Sequence, residues 1–251
     1  MSNKPYWVVG NHAARSILAT APERVLNAAM VSTKEGGEES SEFMQLLETV
    51  GVSVQLLNKG ALAKLVGSEQ HQGIALNVRP KTELGQAELM QKMAQGDRSN
   101  RLILVLDQVQ DPHNLGACLR TAAASGVDAV VVPKDNSAPL SAIVHKVASG
   151  AAETVDLYRV TNLARCLKDL KEHGIWVIGT SDRAQTSLYE QSLTGDIAIL
   201  MGAEGKGLRR LTEEACDVLV SLPMANNSVS SLNVSVATGV CLYEAVRQRR
   251  A

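Results

Sequence analysis

The sequence predicts an α/β fold made of two domains of unequal size. Short apolar runs and helical stretches are mixed over residues 1–80, and a polar segment without strand-like runs covers residues 81–100. Continuous apolar runs then alternate with helical stretches over residues 101–251. Such an alternation predicts right-handed crossovers and a parallel sheet with helices on both faces. We therefore expect a small α/β domain, a linker and a larger parallel α/β domain.

In residues 1–80, apolar runs predict strands at "YWVVG", "NAAMVS", "VSVQLL" and "GIALNV". Helical stretches are "HAARSILAT" and "SSEFMQLLETVG", and the glycine that closes the second can end its helix. Residues 81–100 contain Gly85 and Gly96 and are predicted to form a linker with one short helical segment.

The larger domain is predicted to start with the strand "RLILVLD", whose continuous apolar character is typical of a strand buried on both faces. The expected elements after it are the helix "NLGACLRTAAAS", the strand "VDAVVVP", the helix "LSAIVHKVAS", the strand "ETVDLYRV", the helix "NLARCLKDLKEHG", the strands "IWVIGT" and "IAILMG", the helix "LRRLTEEAC", the strand "DVLVSLP" and a last helix from Leu232 or Asn233. Ligands of parallel sheets bind at the carboxyl ends of strands, which directs attention to residues 107–116, 202–207 and 223–233.

Composition excludes several classes of function. Aromatic residues make up 3% of the 251 residues, so stacking platforms cannot dominate a nucleic-acid contact. The net charge of −1 means that a polyanionic partner would have to bind local basic patches. The four cysteines and five histidines are scattered without metal-ligand spacing, so we expect no metal and a reducing, cytoplasmic environment. No apolar run is long enough for a membrane span, and we expect no membrane partner.

The first loop, in "DQVQDPHNLGACLRTA", combines a turn at Asp111 and Pro112 with a helix that Asn114 can cap. Arg120 lies further along this helix. The pattern is compatible with a capped helix and a solvated arginine. It is equally compatible with a helix N-terminus and an arginine that together hold a phosphate.

The second loop, "MGAEGKGLRR", contains three glycines within six residues after a buried strand, which predicts a close approach of the backbone to a flat or bulky group. Neither the Walker A pattern nor G-x-G-x-x-G fits this spacing. Glu204 lies between two of the glycines, where a carboxylate orients a partner or ionises against it. Basic residues follow and supply a local patch for RNA: Lys206, Arg209 and Arg210.

The third loop, "LPMANNSVSSLNVSVATG", has more hydrogen-bonding side chains than a helix start needs. A single N-cap explains Ser231 or Asn233, but not both together with Ser235. Hydroxyls and an amide beside the free N–H groups of a first helical turn suit a ribose or the edge of a purine.

Read together, "DPHNLGACLR", "MGAEGKGLRR" and "LPMANNSVSSLNVSVATG" resemble the three motifs of the SpoU branch of the SPOUT RNA methyltransferases, in order, spacing and context. The segments "GNHAARSIL" and "HQGIAL" resemble the substrate-binding domain of that branch. The resemblance implies an L30e-like RNA-binding domain over residues 1–80 and a SPOUT methyltransferase domain over residues 101–251. The latter is an α/β-knot with a deep trefoil knot.

The resemblance also implies an activity, which is S-adenosylmethionine-dependent 2'-O-methylation of a guanosine ribose in the peptidyl-transferase loop of large-subunit (23S) rRNA. It implies a cytoplasmic homodimer that packs partly through the C-terminal helix "VATGVCLYEAVRQRR". The residues that match the catalytic positions of the family are Asn114, Arg120, Glu204, Ser231 and Asn233. The residues that match its cofactor contacts are Thr180, Gly202, Leu222, Met224 and Leu232.

Three alternatives stay open at this point. A related tRNA ribose methyltransferase would carry the same motifs, and a non-catalytic rRNA-binding protein would depend on the first domain alone. A dinucleotide-dependent oxidoreductase is the generic alternative for a parallel α/β domain, although its glycine fingerprint is missing. The chain departs from the family at "ANNSV", where relatives carry a shorter link with a glycine, so the resemblance does not specify the path around Asn226 and Asn227.

Overall fold

The computed structural model describes residues 4–82, 84–95, 99–225 and 231–250, and for residues 33–39 it describes the backbone alone. Contacts divide the chain into two units. The first comprises Met1–Thr82 and His145–Thr154, and the second comprises Glu83–Val144 and Val155–Ala251. The sequence-based boundaries differ from this division in two respects. The ten-residue segment His145–Thr154 of the larger predicted domain groups with the first unit, and the predicted linker falls almost wholly in the second. Asn226 and Asn227 lie outside the described residues.

The first unit contains a four-stranded mixed sheet in the order β1-β4-β2-β3. Strands β2 and β3 are parallel, and β4 runs antiparallel to both of its neighbours. Four strands appear where apolar runs predict them, and a third helix joins the two predicted ones. The elements are β1 Tyr6–Val9, α1 Asn11–Thr20, β2 Val25–Val31, α2 Thr33–Thr49, β3 Val54–Leu57, α3 Lys59–Val66 and β4 Ile74–Val78.

The two faces of this sheet have separate apolar cores. Helices α1 and α2 cover one face, where Ile17, Phe43 and Leu47 are buried against the strands. On the other face, Leu62 from α3 packs with Val31. Burial on both faces fixes the strand register, because a shift by one residue would exchange the two sets of side chains.

The segment His145–Thr154 contributes a buried charged group to the first unit. Glu153 is 5% exposed and accepts a hydrogen bond from Arg24 Nη1 at 2.6 Å. His145 Nδ1 lies 3.1 Å from its other oxygen, to which the Tyr6 hydroxyl also donates. Burial opposes ionisation of Glu153, but the hydrogen bonds and charges of His145 and Arg24 outweigh it and lower the pKa of Glu153 to about 2.

The second unit contains the predicted parallel sheet, with six strands in the order β10-β8-β9-β5-β6-β7. Every strand pair in it is parallel, which confirms the fold class expected from the alternating pattern. The elements after β4 are α4 Gln86–Ala94, β5 Leu102–Leu106, α5 Pro112–Ser125, β6 Ala129–Pro133, α6 Ala142–Ala148, α7 Ala151–Thr154, β7 Leu157–Val160, α8 Leu163–Glu172, β8 Trp176–Thr180, β9 Ile197–Met201, α9 Arg210–Glu213, β10 Val218–Val220 and α10 Val234–Arg250.

Helix α4 lies in the segment that the sequence predicts as a linker. Its Leu89 and Met93 are buried in the apolar core that α8 forms with the parallel sheet. Residues 86–94 therefore belong structurally to the second unit, because two apolar side chains four residues apart give this short helix a buried face. Helices α5 and α10 contact each other, and Cys118 Sγ lies 3.5 Å from Thr238 Oγ1 between them.

Local boundaries differ from the predicted ones after β6. The stretch "LSAIVHKVAS" is predicted as one helix, but Ser149 and Gly150 have φ values of 50° and 89° and separate α6 from α7. The strand predicted at "ETVDLYRV" consequently begins only at Leu157. The helix predicted at "LRRLTEEAC" is reduced to the single turn α9.

Candidate active site

A cavity of about 640 Å³ lies at the carboxyl ends of β8, β9 and β10, the edge of the sheet at which the sequence predicts ligand binding. Its volume is within the range of about 300–1,000 Å³ that is typical of small-molecule sites. All five residues predicted to contact the cofactor line it: Thr180, Gly202, Leu222, Met224 and Leu232.

The walls of the cavity come from distant parts of the chain. One wall follows β8, a second is the glycine-rich loop after β9, and a third combines residues 220–224 with residues around the start of α10. The predicted site residues Glu204, Lys206 and Ser231 also line the cavity. The other predicted residues are not in its lining, although Asn114 and Asn233 reach Glu204 through hydrogen bonds, as described below.

The glycine-rich loop folds back on itself. The N–H groups of Ala203 and Gly207 each donate to the other residue's carbonyl, at 3.1 and 2.9 Å. A Cβ on Gly202 would lie 2.3 Å from the carbonyl carbon of Gly207, while Gly205 and Gly207 have φ values of 72° and 66°. The loop's own backbone therefore needs these three glycines, and the approach of the backbone to an external group stays a prediction.

Arg209 is held by a buried carboxylate. Asp107, at the end of β5, is fully buried and accepts hydrogen bonds from the backbone N–H and Nε of Arg209, at 3.1 and 2.7 Å, and from Thr212 Oγ1, at 2.6 Å. The Arg209 side chain is 41% exposed. Its guanidinium therefore anchors the start of α9 to β5, and only its outer part is accessible to RNA.

The other two predicted RNA-binding cations are exposed. Arg210 Nη1 forms an ion pair with Glu214 at 2.8 Å, and both side chains are solvated. Lys206 is exposed at the tip of the glycine-rich loop and, within the part of the chain that the structure describes, has no ion-pair partner. Of the three predicted cations, Lys206 is the one with a free charge beside the cavity.

A continuous series of side-chain hydrogen bonds connects the three predicted loops. The N–H and the hydroxyl of Ser235 donate to Asn233 Oδ1 at 2.9 and 2.6 Å. Asn233 Nδ2 donates to Asn114 Oδ1 at 3.0 Å. Asn114 Nδ2 lies 3.5 Å from Glu204 Oε2, at the limit of a hydrogen bond. Residues that are 90 and 119 positions apart in the sequence thus meet at the edge of the cavity.

The direction of this chain of hydrogen bonds is fixed by its ends. A backbone N–H can only donate, so the atom of Asn233 that faces the Ser235 N–H must be the oxygen. The Asn233 amide nitrogen then faces Asn114 and requires its oxygen, which leaves the nitrogen of Asn114 directed at the Glu204 carboxylate. Asn114 and Asn233 are therefore oriented in advance of any ligand.

The N-cap of α5 is Asp111 rather than the predicted Asn114. The Asp111 carboxylate accepts from the N–H groups of His113 and Asn114 at 3.1 and 3.4 Å, and Pro112 occupies the first helical position. Proline at that position favours the preceding aspartate as the cap, because proline lacks the N–H that would need a partner. The side chain of Asn114 is thereby free to bond to Glu204 and Asn233.

Arg120 lies two turns further along α5 and is exposed. Among the described residues it has no hydrogen-bond or ion-pair partner, and it is not part of the cavity lining. The structure therefore does not bring Arg120 together with the other predicted catalytic residues within one chain.

Sequence reasoning missed one wall of the cavity. Residues Ser181, Asp182 and Arg183 follow the carboxyl end of β8 and line the cavity beside Thr180. The rule that selected the other loops could have found them, because "IWVIGT" is also a predicted strand of the parallel sheet.

The cysteines do not offer a nucleophile. Burial raises the pKa of the Cys118 thiol to about 11 and those of Cys166, Cys216 and Cys241 to about 12. Thiols with such pKa values are protonated at neutral pH and unreactive.

The helices were also compared with the length and hydropathy of a membrane span. Among the described residues, none of them meets both requirements.

Comparison with family models finds two matches that together span most of the chain. Residues 101–243 match the model described as the SpoU rRNA Methylase family. Residues 7–84 match the model described as RNA 2'-O ribose methyltransferase substrate binding.

Curated relatives are similar over nearly the full length. The chain is 53% identical over 245 residues to the 23S rRNA (guanosine-2'-O-)-methyltransferase RlmB of Pasteurella multocida strain Pm70, covering 97% of this chain and 98% of the relative. It is 50% identical over 251 residues to RlmB of Vibrio vulnificus strain CMCP6, covering 100% of this chain and 99% of the relative.

Solved structures have the same fold. A crystal structure of an RNA 2'-O ribose methyltransferase matches with a TM-score of 0.78 and 27% identity, covering 100% of this chain and 91% of the other. The SpoU methyltransferase AviRb from Streptomyces viridochromogenes, in complex with the cofactor AdoMet, matches with a TM-score of 0.78 and 22% identity, covering 97% and 90% of the two chains.

Proposed function

The chain belongs to the SpoU rRNA methylase family, and we propose from this premise how its residues carry out methyl transfer. The protein is an S-adenosylmethionine-dependent enzyme that 2'-O-methylates guanosine in 23S rRNA. The proposal concerns the roles of individual residues, the location of the target in the peptidyl-transferase loop, action in the cytoplasm, and assembly as a homodimer.

The cavity at the ends of β8, β9 and β10 has the properties that S-adenosylmethionine requires. Its volume of about 640 Å³ suits a ligand of that size. The loop that begins at Gly202 exposes backbone groups along one side, and Leu222, Met224 and Leu232 add apolar surface. When bound there, S-adenosylmethionine supplies an electrophilic methyl group on its sulfonium. The side chains around the cavity then position the ribose.

The single observation that carries the proposed roles is the hydrogen-bonded chain from Ser235 through Asn233 and Asn114 to Glu204. Methyl transfer requires the 2'-oxygen to be held roughly 3 Å from the methyl carbon and in line with it. A pre-oriented amide pair beside a carboxylate offers donors and an acceptor to a ribose without further reorganisation. We assign Asn114, Asn233 and Glu204 to ribose positioning, with Ser231 as a further hydrogen-bonding group at the cavity.

Arg120 is assigned to the phosphate of the target nucleotide. A charged guanidinium has no lone pair and therefore cannot accept the proton of the 2'-hydroxyl, whereas its planar donors match a phosphate. Its exposed position and the absence of a partner among the described residues leave those donors available. Lys206 is assigned to the RNA backbone, with smaller contributions from Arg209 and Arg210, which are engaged by carboxylates.

The homodimer is proposed on the basis of an exposed apolar stripe on α10. Val236 and Tyr243 are 53% and 52% exposed, and the partly exposed Val240 lies between them at helical spacing. Large apolar side chains aligned on one helix face favour a protein partner. Tyr243→Glu is expected to convert a dimer into monomers in sedimentation velocity, and a wild-type protein that sediments as a monomer would contradict the assembly.

The residue roles are tested with Glu204→Ala and with Glu214→Ala as a control, since Glu214 is an exposed carboxylate outside the cavity lining. Unmodified 23S rRNA transcript and tRNA are each incubated with methyl-labelled S-adenosylmethionine. Glu204→Ala is expected to lower kcat about 10²-fold or more, in line with the loss of other transition-state hydrogen-bonding groups, while cofactor affinity stays near wild type. A variant that loses cofactor affinity and keeps kcat would assign Glu204 to the cofactor instead.

Mapping of the modified nucleotide in the same reaction tests the target. Label in a guanosine of the peptidyl-transferase loop is the expected result, and label elsewhere in 23S rRNA would contradict the proposed location.

A pH-rate profile of Arg120→Lys tests the proposed role of the arginine. We expect a higher KM for rRNA with an unchanged profile, because lysine keeps the charge and loses the planar donors. An unchanged KM would contradict the phosphate role.

A further inference from the structure

A second cavity, of about 560 Å³, lies within the first unit. It is bordered by the starts of α1 and α3, by strand β2 and helix α2, and by the loop that leads into β4. Its apolar side is formed by Met30, Val31, Phe43, Ala63 and Ile74. Its polar side is formed by Asn11, Ser40, Lys59, Glu69, His71 and Gln72. None of these residues is used in the methyl-transfer site.

Two of the polar residues are buried and keep hydrogen-bonding capacity. Ser40 and His71 are 6% and 5% exposed. His71 Nδ1 accepts from the Gly73 N–H at 3.0 Å, so that nitrogen carries no proton and Nε2 is the donor. Among the residues that the structure describes, neither His71 Nε2 nor the Ser40 hydroxyl has a partner. Both side chains line the cavity, where a ligand can use these hydrogen-bonding groups.

The rim of the cavity favours an anion. Helix α3 begins at Lys59 and Gly60, and α1 begins at Asn11, so two helix N-termini border the same space. Each N-terminus carries a partial positive charge, and one N–H group at each is already bonded to a side-chain oxygen, of Gln72 at α1 and of Asn58 at α3. The Lys59 ammonium adds a full charge, as expected for a phosphate site.

The loop that carries His71 is held in place independently of any ligand. Gln72 has a φ of 53°, which is uncommon outside glycine, and its Oε1 accepts from the Asn11 N–H at 2.9 Å. Gly73 follows with a φ of 83°. This geometry ties the loop to the start of α1, so the polar groups of the cavity are pre-organised.

We propose that this cavity binds one unpaired nucleotide of the rRNA substrate, and this inference rests on the proposed function. Sequence-specific RNA recognition mostly targets unpaired bases that can be splayed out of a helix. The base lies against the apolar side, the phosphate lies at Lys59 and the helix N-termini, and His71 Nε2 and Ser40 donate to acceptors on the base. Glu69 accepts from a base amino or imino group. A cavity suits this protein because it has few aromatic residues on which to stack bases.

The first test measures the Kd of unmodified 23S rRNA transcript by filter binding and its KM in methyl transfer, for Lys59→Gln and for Lys64→Gln. Lys64 lies on the same helix, is exposed and does not line the cavity. Lys59→Gln is expected to raise Kd and KM about three- to tenfold and to reduce the salt dependence of binding by about one charge. Cofactor affinity and kcat at saturating rRNA should stay unchanged. Equal Kd values for both variants and wild type would overturn the proposal.

The second test separates the two nitrogens of His71. In His71→Asn, the amide oxygen can replace Nδ1 as the acceptor for Gly73, while the Nε2 donor is lost. In His71→Gln, the amide can replace Nε2, while the acceptor for Gly73 is lost. For His71→Asn we expect weaker rRNA binding and a near-normal melting temperature. For His71→Gln we expect near-normal rRNA binding and a lower melting temperature. Equal rRNA affinities for the two variants would overturn the role of the Nε2 donor.

These outcomes are distinguishable from failure of the proposed function, because filter binding requires no methyl transfer. A wild-type protein that binds rRNA without methylating it would contradict the proposed function and leave the Lys59 comparison valid. Guanosine 5'-monophosphate serves as a second probe. If it binds wild type more tightly than Lys59→Gln while rRNA affinity is the same for both, the cavity would belong to a free nucleotide, and the proposal would be overturned.

Discussion

Replacement of Gly202 by alanine is expected to impair cofactor binding through the glycine-rich loop. The added Cβ would lie 2.3 Å from the Gly207 carbonyl carbon and 2.6 Å from its oxygen, whereas ordinary contacts begin at 3.4 Å. The loop must therefore open by about 1 Å at the wall of the cavity. Overpacking of this kind costs about 1–3 kcal/mol. If the whole of this free-energy cost falls on the loop conformation that binds S-adenosylmethionine, the affinity for S-adenosylmethionine falls about five- to 150-fold.

The measurement is isothermal titration calorimetry with S-adenosylmethionine, together with thermal melting. Gly205→Ala is the matched control, because Gly205 has a φ of 72° but no atom within 4 Å of an added Cβ. Left-handed backbone strain alone costs about 1–2 kcal/mol, so this control should lose less affinity. Wild-type affinity and melting temperature in Gly202→Ala would refute the reasoning that the closed loop shapes the cofactor site.

Three further predictions concern buried or oriented polar groups. Asp107→Ala removes the buried acceptor of Arg209 and Thr212 and is expected to lower the free energy of unfolding by about 1–3 kcal/mol, measured by urea denaturation, because the Arg209 side chain that loses its partner is 41% exposed; a loss under about 0.5 kcal/mol would contradict the anchoring role. Because the pKa of Glu153 is lowered from 4.5 to about 2, its stabilisation is present above about pH 4.5 and is lost as the pH falls towards 2, with a full value of about 3 kcal/mol. Urea denaturation at pH 5 and pH 3 should show this loss in wild type and not in Glu153→Gln, and equal pH dependence of the two would exclude the carboxylate as the cause. Asn114→Asp places a second carboxylate next to Glu204 and removes the amide donor, so kcat should fall while cofactor affinity changes little; wild-type kcat would contradict the positioning role.

The overall fold could be predicted because its signals are local. Continuous apolar runs mark the strands of the parallel sheet, and the residues at their carboxyl ends include Thr180 and Gly202, which line the cavity of about 640 Å³. Strand identity and the placement of ligands at strand ends need no knowledge of long-range contacts. The resemblance to known motifs added the prediction of which lining residues contact the cofactor, and that assignment stays a prediction.

The missed features depend on partners that are distant in the sequence. Arg209 looks like a free cation until Asp107, 102 residues earlier, is placed beside it. The role of Gly202 depends on how the following residues turn back, which glycine content alone does not specify. The N-cap of α5 could have been predicted correctly as Asp111 instead of Asn114, because Pro112 is a local signal that the preceding residue is the cap.

The way in which the cavity is assembled has a consequence during protein synthesis. Its walls include residues 220–224 together with Ser231, Leu232, Val234 and Ala237, which leave the ribosome after every other part of the lining. The same late segment supplies Asn233, without which Asn114 has no fixed orientation. A nascent chain that has completed eight or nine strands therefore has neither the closed cavity nor the hydrogen-bonded asparagine pair that we propose as cofactor and ribose sites. The enzyme that modifies ribosomal RNA can begin to work only after its own translation has passed Ala237.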